Sequence, residues 1–297
     1  AYVTALRLVT PQGEVLDCSR MQHPEVFAAA RVSLGSLGVI TQVTLQNVPT
    51  HHLKRRVWAE PLDSLLERFD ELARAHHSFE LYVIPFCSRG IAITIDPTEA
   101  PPRPRGQERD NDALVHLQRL RDLTGWWPGL RRRLLDLATA ELPEEEAVDL
   151  WYRIFPSSRE VRFNEMEYHL PRDALLPALK QVLARVESRH REEFFPIEVR
   201  TVRGDDAWLS PFYGHAVSGS IAVHRHHHED PLPYFADIEP IYQAYGGRPH
   251  WGKMHTLDAR TLAQRYPRWR DFLALREMLD PHGRMLNPYL RRMFGLD

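Results

Sequence analysis

The chain opens on alternating apolar positions. Val3, Ala5, Leu6 and Leu8 lead into a Pro-Gln-Gly turn at 11–13, and Val15 to Cys18 forms a second short run. Two such runs around a turn predict a β-hairpin. The stretch HPEVFAAARVSLGSLGVITQVTLQNV (23–48) then predicts a helix, a loop with two glycines and a strand. Pro24 suits a first helical turn, and Val39, Ile40, Val43 and Leu45 are β-formers. Pro49 interrupts the pattern, and the sequence divides there into a first part, 1–48, and a second, 49–297.

The second part predicts a strand over 51–60, then a helix from Pro61 to His76 with Leu62, Leu65, Leu66, Phe69 and Leu72 at helical spacing. Strands follow at 79–86 and 90–95. Residues 97–112 are rich in proline and charge and predict an exposed loop. Residues 113–150 read as helical, broken at Trp126-Trp127-Pro128. VRFNEMEYHL (161–170) alternates as a strand, 171–190 as an amphipathic helix, and 194–203 and 218–225 as strands. Residues 231–245 and 261–279 read as helices. Short turns and mixed spacing favour an α+β fold, with a mixed or antiparallel sheet covered by helices on one face.

Composition narrows the function classes. The 297 residues are 43% hydrophobic and 26% charged, the balance of a globular protein. A chain of this size buries enough surface to fold without disulfides or metal. A net charge of -2 gives no general basic field, which argues against a nucleic-acid partner. No apolar run approaches the roughly 20 residues of a membrane span. Two cysteines, Cys18 and Cys87, make no disulfide framework and point to a reducing compartment, the cytoplasm. The chain starts in mid-strand without methionine, so further sequence is expected upstream.

Four stretches could carry chemistry. SLGSLGVIT (33–41) places two glycines in a helix-to-strand loop, where backbone N–H groups could cradle phosphate or flavin oxygens; from this stretch alone a tight turn is the better explanation. In PIEVRTVR (196–203), Glu198 and Arg200 are two apart and share one face of a strand. They could hold a polyol by several hydrogen bonds, or form an exposed ion pair with no function. VHRHHHED (223–230) invites a metal reading, but His226, His227 and His228 are consecutive and lack ligand spacing; His224 lies within the strand. RPHWGKMH (248–255) holds Lys253, one of only three lysines, with Lys54 and Lys180, among 38 Lys and Arg. A lysine is a compact charge suited to a developing negative charge, unless it is simply a solvated loop residue.

Taken together, ARVSLGSLGVITQVTL (30–45), RFNEMEYHLP (162–171), IEVRTVRGDDAWLSP (197–211), RPHWGKMH (248–255) and YPRWRDFLALREMLDPHGRMLNPYL (266–290) resemble the sugar-1,4-lactone oxidase and alditol oxidase family of vanillyl-alcohol-oxidase-type flavoproteins, most closely its D-arabinono-1,4-lactone oxidase-like members. The resemblance implies that residues 1–48 end a PCMH-type FAD-binding domain and that 49–297 form the substrate, or cap, domain. It implies FAD as cofactor, joined in many members to a histidine of an upstream segment. The activity it implies is hydride transfer from a CH–OH group of a sugar lactone or alditol to the flavin, with molecular oxygen as acceptor. Gly35, Ser36, Leu37, Gly38, Val39 and Ile40 match the flavin-contacting segment. Glu198 and Arg200 match the pair that holds substrate hydroxyls, Lys253 the lysine between flavin and substrate, and His250 stands beside it. His224 falls where the family pattern is looser and is a further substrate-side residue. The alternatives are a dehydrogenase of the same fold that uses cytochrome or quinone, and a binding module that has lost the flavin.

Overall fold

The computed structural model describes residues 2–106, 110–156 and 160–296. The chain forms two compact units. The first takes in residues 1–48, 202–218 and 246–297; the second takes in 49–201 and 219–245. The sequence reading divided the chain once, at 48/49, whereas the chain returns to the first unit twice after leaving it.

In the first unit, β1 (Val3–Val9), β2 (Val15–Ser19) and β3 (Val39–Leu45) form an antiparallel sheet of order β2-β1-β3. The β1–β2 register pairs Leu6 with Cys18 and Leu8 with Leu16, all buried. Between those rows Arg7 faces Asp17 across the ladder, 2.8 Å apart and exposed. This is the alternation of a sheet with one covered face. Helix α1 (Pro24–Ala30) buries Val26, Phe27, Ala29 and Ala30. The strand β3 is different. All seven of its residues are exposed, including Val39, Ile40, Val43 and Leu45.

The second unit is built on β4 (His52–Pro61), β5 (Ser78–Val83), β6 (Arg89–Thr98), β7 (Glu145–Leu150), β8 (Phe163–Pro171), β9 (Ile197–Arg203) and β10 (Val217–His226), the last two running on into the first unit. Their order is β8-β10-β9-β5-β6-β4-β7. Helices α2 (Leu62–Glu67), α3 (Phe69–Ala75), α4 (Asp110–Thr124), α5 (Pro128–Ala140), α6 (Trp151–Ile154), α7 (Leu175–Arg189) and α8 (Leu232–Ala244) cover it. One face packs on α2, α3, α7 and α8: Gly90 lies under Leu62 and Leu65, Phe79 against Phe69, Gly219 under Leu175, and Tyr168 stacks on Tyr242. A Cβ at Gly219 would meet Leu175 at 2.6 Å, so glycine is what lets α7 lie this close. On the opposite face, α4 and α5 cover Ile91 with Leu117, Leu120 and Leu135, and α6 covers Ile93 and Ile95 with Ile154.

Five more expectations differ. Helices cover both faces of the sheet, not one. The helix read over 261–279 breaks at Tyr266, whose φ of -104° and ψ of 110° are extended, and resumes at Trp269. The helix read over 61–76 is interrupted at Arg68, whose φ of -95° and ψ of 7° leave the helical region, giving α2 and α3. Residues 145–150, read as helix, are the strand β7, because Glu146 and Glu144 meet Lys54 and Arg56 of β4 across the ladder while Ala147 and Val148 are buried. The loop read over 97–112 is shorter at both ends, since β6 runs to Thr98 and α4 starts at Asp110; residues 107–109 of it lie outside the described residues.

The first unit closes with α9 (Ala259–Arg265), capped by Asp258 accepting from the Thr261 N–H, then α10 (Trp269–Leu279) and α11 (Pro288–Phe294), capped by Asn287. No helix among the described residues is long and apolar enough to cross a membrane.

Candidate functional site

The strand period aims Glu198 and Arg200 away from α7, since Ile197 and Val199 take the buried helix-side face. Arg200 donates to the Glu198 carboxylate. Across the β5–β9 ladder Tyr82 stands opposite Glu198 and Glu80 opposite Arg200. The Tyr82 hydroxyl lies 3.5 Å from Glu80. The sequence reading paired Glu198 with Arg200 but missed Glu80 and Tyr82.

The same face continues on β8 and β10. His224 Nε2 lies 3.4 Å from Glu165, Ser220 donates to Glu167, and His169 Nδ1 is 3.9 Å from Glu167. His224 stands edge-on to Phe163, with ring centroids 4.8 Å apart. Glu167, His169, Glu198, Ser220 and His224 are all buried. Buried carboxylates and imidazoles in such number are uncommon on a sheet face. The signal was present in RFNEMEYHL, where Glu165, Glu167 and His169 alternate with residues of the helix side. The run that follows His224 is ordinary. The rings of His227 and His228 lie 3.8 Å apart, and His227 Nδ1 is 3.1 Å from the Arg162 carbonyl. No group of three His, Cys, Asp or Glu placed to hold a metal occurs among the described residues.

His250 and Lys253 belong to the first unit, on a tight turn. Trp251 anchors that turn. It stacks on Tyr266 at 5.0 Å, and its indole N–H donates to the Leu209 carbonyl over 2.7 Å. The Lys253 N–H donates to the His250 carbonyl over 3.0 Å. The Gly252 N–H donates to His250 Nδ1 over 3.1 Å, which leaves the proton of the neutral ring on Nε2. Just before the turn, Arg248 is buried and donates to the carbonyls of Arg265, Pro211 and Tyr213. Burial pulls its pKa below the usual arginine value.

The segment 34–40 of the first unit combines strain with exposure. Leu34 and Gly35 have φ of 54° and 73°, and Gly38 has φ of 144°. A Cβ at Gly38 would collide with the Val9 carbonyl oxygen, so this glycine is needed for packing on β1. Gly35 has open space where a Cβ would stand. Ser36 and Leu37 are buried, and the Ser36 hydroxyl donates to the Ser33 carbonyl over 2.7 Å. Val39 and Ile40 are exposed. An open backbone at Gly35 beside exposed apolar side chains fits a flat, partly apolar group laid against the chain, as a flavin ring is.

The sequence profile of the D-arabinono-1,4-lactone oxidase family matches residues 43–293. An L-gulono-1,4-lactone dehydrogenase of Mycobacterium tuberculosis is 40% identical over 99% of this chain and 69% of its own length. The L-gulonolactone oxidase of Bos taurus is 33% identical over 98% of the chain and 68% of its length. An alditol oxidase of Streptomyces is 31% identical over 98% and 67%. Among solved structures, a solvent-stable cholesterol oxidase, 16% identical, superposes with a TM-score of 0.77 over 99% of this chain and 70% of that one; this likeness is one of fold, the vanillyl-alcohol-oxidase type.

Proposed function

The chain belongs to the D-arabinono-1,4-lactone oxidase family, and from that premise we propose that it is an FAD-dependent oxidoreductase acting on the CH–OH group of a sugar lactone or alditol. The observation that carries the proposal is the paired Glu198 and Arg200 on a buried polar sheet face, bordered by Glu80, Tyr82 and His224. Such a face binds neutral, many-hydroxyl molecules, because each hydroxyl both donates and accepts.

In this reading residues 1–48 are the C-terminal part of the FAD-binding domain, sharing one unit with 202–218 and 246–297, and 49–201 with 219–245 form the substrate portion. When bound, FAD supplies the two-electron acceptor for the hydride of the carbinol carbon. Gly35 through Ile40 lie along the cofactor. Glu198 and Arg200 orient the substrate hydroxyls, and His224 closes their far side. Lys253 places a positive charge where negative charge develops, and His250, protonated at Nε2, donates beside it. Oxygen is the acceptor, giving hydrogen peroxide. A second reading, electron transfer to a cytochrome or quinone, is favoured by the relative from Mycobacterium tuberculosis, which is named a dehydrogenase. Both cysteines are free and buried, which supports a reducing compartment, the cytoplasm.

The test is anaerobic mixing of the flavin-loaded protein with L-gulono-1,4-lactone, D-arabinono-1,4-lactone or xylitol. Bleaching of the flavin absorbance supports the proposal; no bleaching with any of the three removes it. Reoxidation by air against a quinone then separates the two acceptors. Acid precipitation reports whether the flavin leaves or stays with the polypeptide through a histidine.

A further inference from the structure

Helices α4 and α5 carry apolar side chains that the fold does not use. Their inner side is spent on the sheet. Leu117 and Leu120 of α4 and Leu135 of α5 pack with Ile84, Phe86, Cys87 and Ile91. Arg131 fixes α5 further, because its buried guanidinium donates to the Arg191 and Glu193 carbonyls. The outer side is another matter. Leu134 and Leu137 are three apart on α5 and both exposed, and Leu123 is exposed at the end of α4. The turn that joins the helices holds Trp126 and Trp127, 73% and 54% exposed. Tryptophan is highly buried on average, and five large apolar side chains on one helix pair are a patch rather than scatter.

Two details say what the patch meets. The Trp126 indole N–H already donates to the Leu123 carbonyl over 3.1 Å. Its ring can therefore leave water without stranding a donor. The charges beside the turn are also one-sided. Asp122 is held by Arg121 at 2.7 Å, and Asp136 accepts from the Ser88 N–H and hydroxyl. Arg119 and Arg133 are exposed and form no ion pair among the described residues. The exposed acids Asp112 and Glu141 sit at the helix ends remote from the turn.

We infer that the α4–α5 turn docks the protein on an anionic phospholipid bilayer, with Leu123, Trp126 and Trp127 at the boundary of headgroups and acyl chains and Arg119 and Arg133 against lipid phosphates. Tryptophan favours that depth because its ring is apolar and its edge polar. Arginine buries its stem and keeps its guanidinium at the phosphates. The turn is a projecting tip. A bilayer closes round such a tip, whereas a rigid protein partner needs about 800 Å² of matched surface. Helices of 15 and 13 residues lie on the membrane and do not cross it.

The experiment is flotation of the flavin-loaded protein with vesicles of phosphatidylcholine, alone or mixed with phosphatidylglycerol; aggregates sink and are not counted. Each cation at an anionic surface contributes about fivefold, so the mixed vesicles should bind about 25-fold more tightly. At about 1 M salt that advantage should vanish. Replacing both rings, Trp126→Ser with Trp127→Ser, should weaken flotation at least about tenfold and leave flavin bleaching and melting temperature unchanged. Wild type alone supplies a check that no variant can confound: lipids brominated high on the acyl chain should quench its tryptophan fluorescence. No flotation with either vesicle, equal flotation with both, absence of quenching, or a double variant that floats like wild type overturns the inference. A wild type that is dimeric and a double variant that is monomeric, neither of them floating, would assign the tip to a second copy of the chain and also overturn it.

Discussion

Glu80 stands directly across the β5–β9 ladder from Arg200, its carboxylate 4.0 Å from the guanidinium, so that Arg200 is held between Glu80 and Glu198. Two carboxylates around one planar fork fix its orientation better than either alone. Arg200→Lys keeps the charge but loses the fork. It should raise KM for lactone or alditol by about tenfold or more, with a smaller change in kcat. Glu80→Gln, at the longer and partly exposed contact, should change KM by less than about threefold. Steady-state kinetics on both variants check the order.

Lys253→Met keeps most of the side-chain stem and removes the charge. If the ammonium meets charge that grows only as the hydride leaves, the rate of flavin bleaching at saturating substrate should fall about 10²–10³-fold. A lysine that grips substrate equally throughout would raise KM and leave kcat alone. Anaerobic stopped-flow absorbance on samples of matched flavin content separates these outcomes.

Gly38 and Gly35 offer a controlled comparison. Both have positive φ, but a Cβ at Gly38 meets the Val9 carbonyl and one at Gly35 meets nothing. Gly38→Ala should lower stability by about 2–4 kcal/mol, through collision and strain together. Gly35→Ala should lower it by about 1–2 kcal/mol, from the left-handed conformation alone. Denaturant melts give both numbers.

Burial raises the Glu193 pKa from 4.5 to about 7, against the pull of the Arg225 guanidinium. For an acid whose folded pKa is raised, the folded state holds the proton more tightly. The stability this contributes is whole below pH 4.5 and is lost as pH rises through about 7. Melting temperature should therefore decline from pH 5 to pH 8, and Glu193→Gln should flatten that decline. An equally steep decline in the variant would assign the effect to other groups.

Much of this was readable from the residues alone. The hairpin, the glycine loop and most strands follow from alternation and turn chemistry, and the Glu198–Arg200 pairing follows from a period of two. What the sequence hid was set by partners distant along the chain. Residues 144–150 open with three consecutive glutamates, 144–146, and suit a helix locally; only the facing Lys54 and Arg56 make them a strand. Glu80 and Tyr82 look like ordinary strand positions until β9 is laid beside β5. The role of Trp251 as the anchor for His250 and Lys253 depends on Tyr266, fifteen positions later in the chain.

The exposed strand β3 has a practical consequence for handling the protein. Val39–Leu45 is an edge strand of seven residues with no charge and no proline, and four of its side chains are aliphatic. Proteins ordinarily protect such edges with lysine, proline or a covering segment, and short uncharged runs of this composition are the ones that stack into fibrils. A sample of residues 1–297 should thus self-associate with rising concentration through strand-to-strand addition at β3, seen as growing light scattering and thioflavin binding. Val43→Lys should suppress both, by setting a charge on the growing edge.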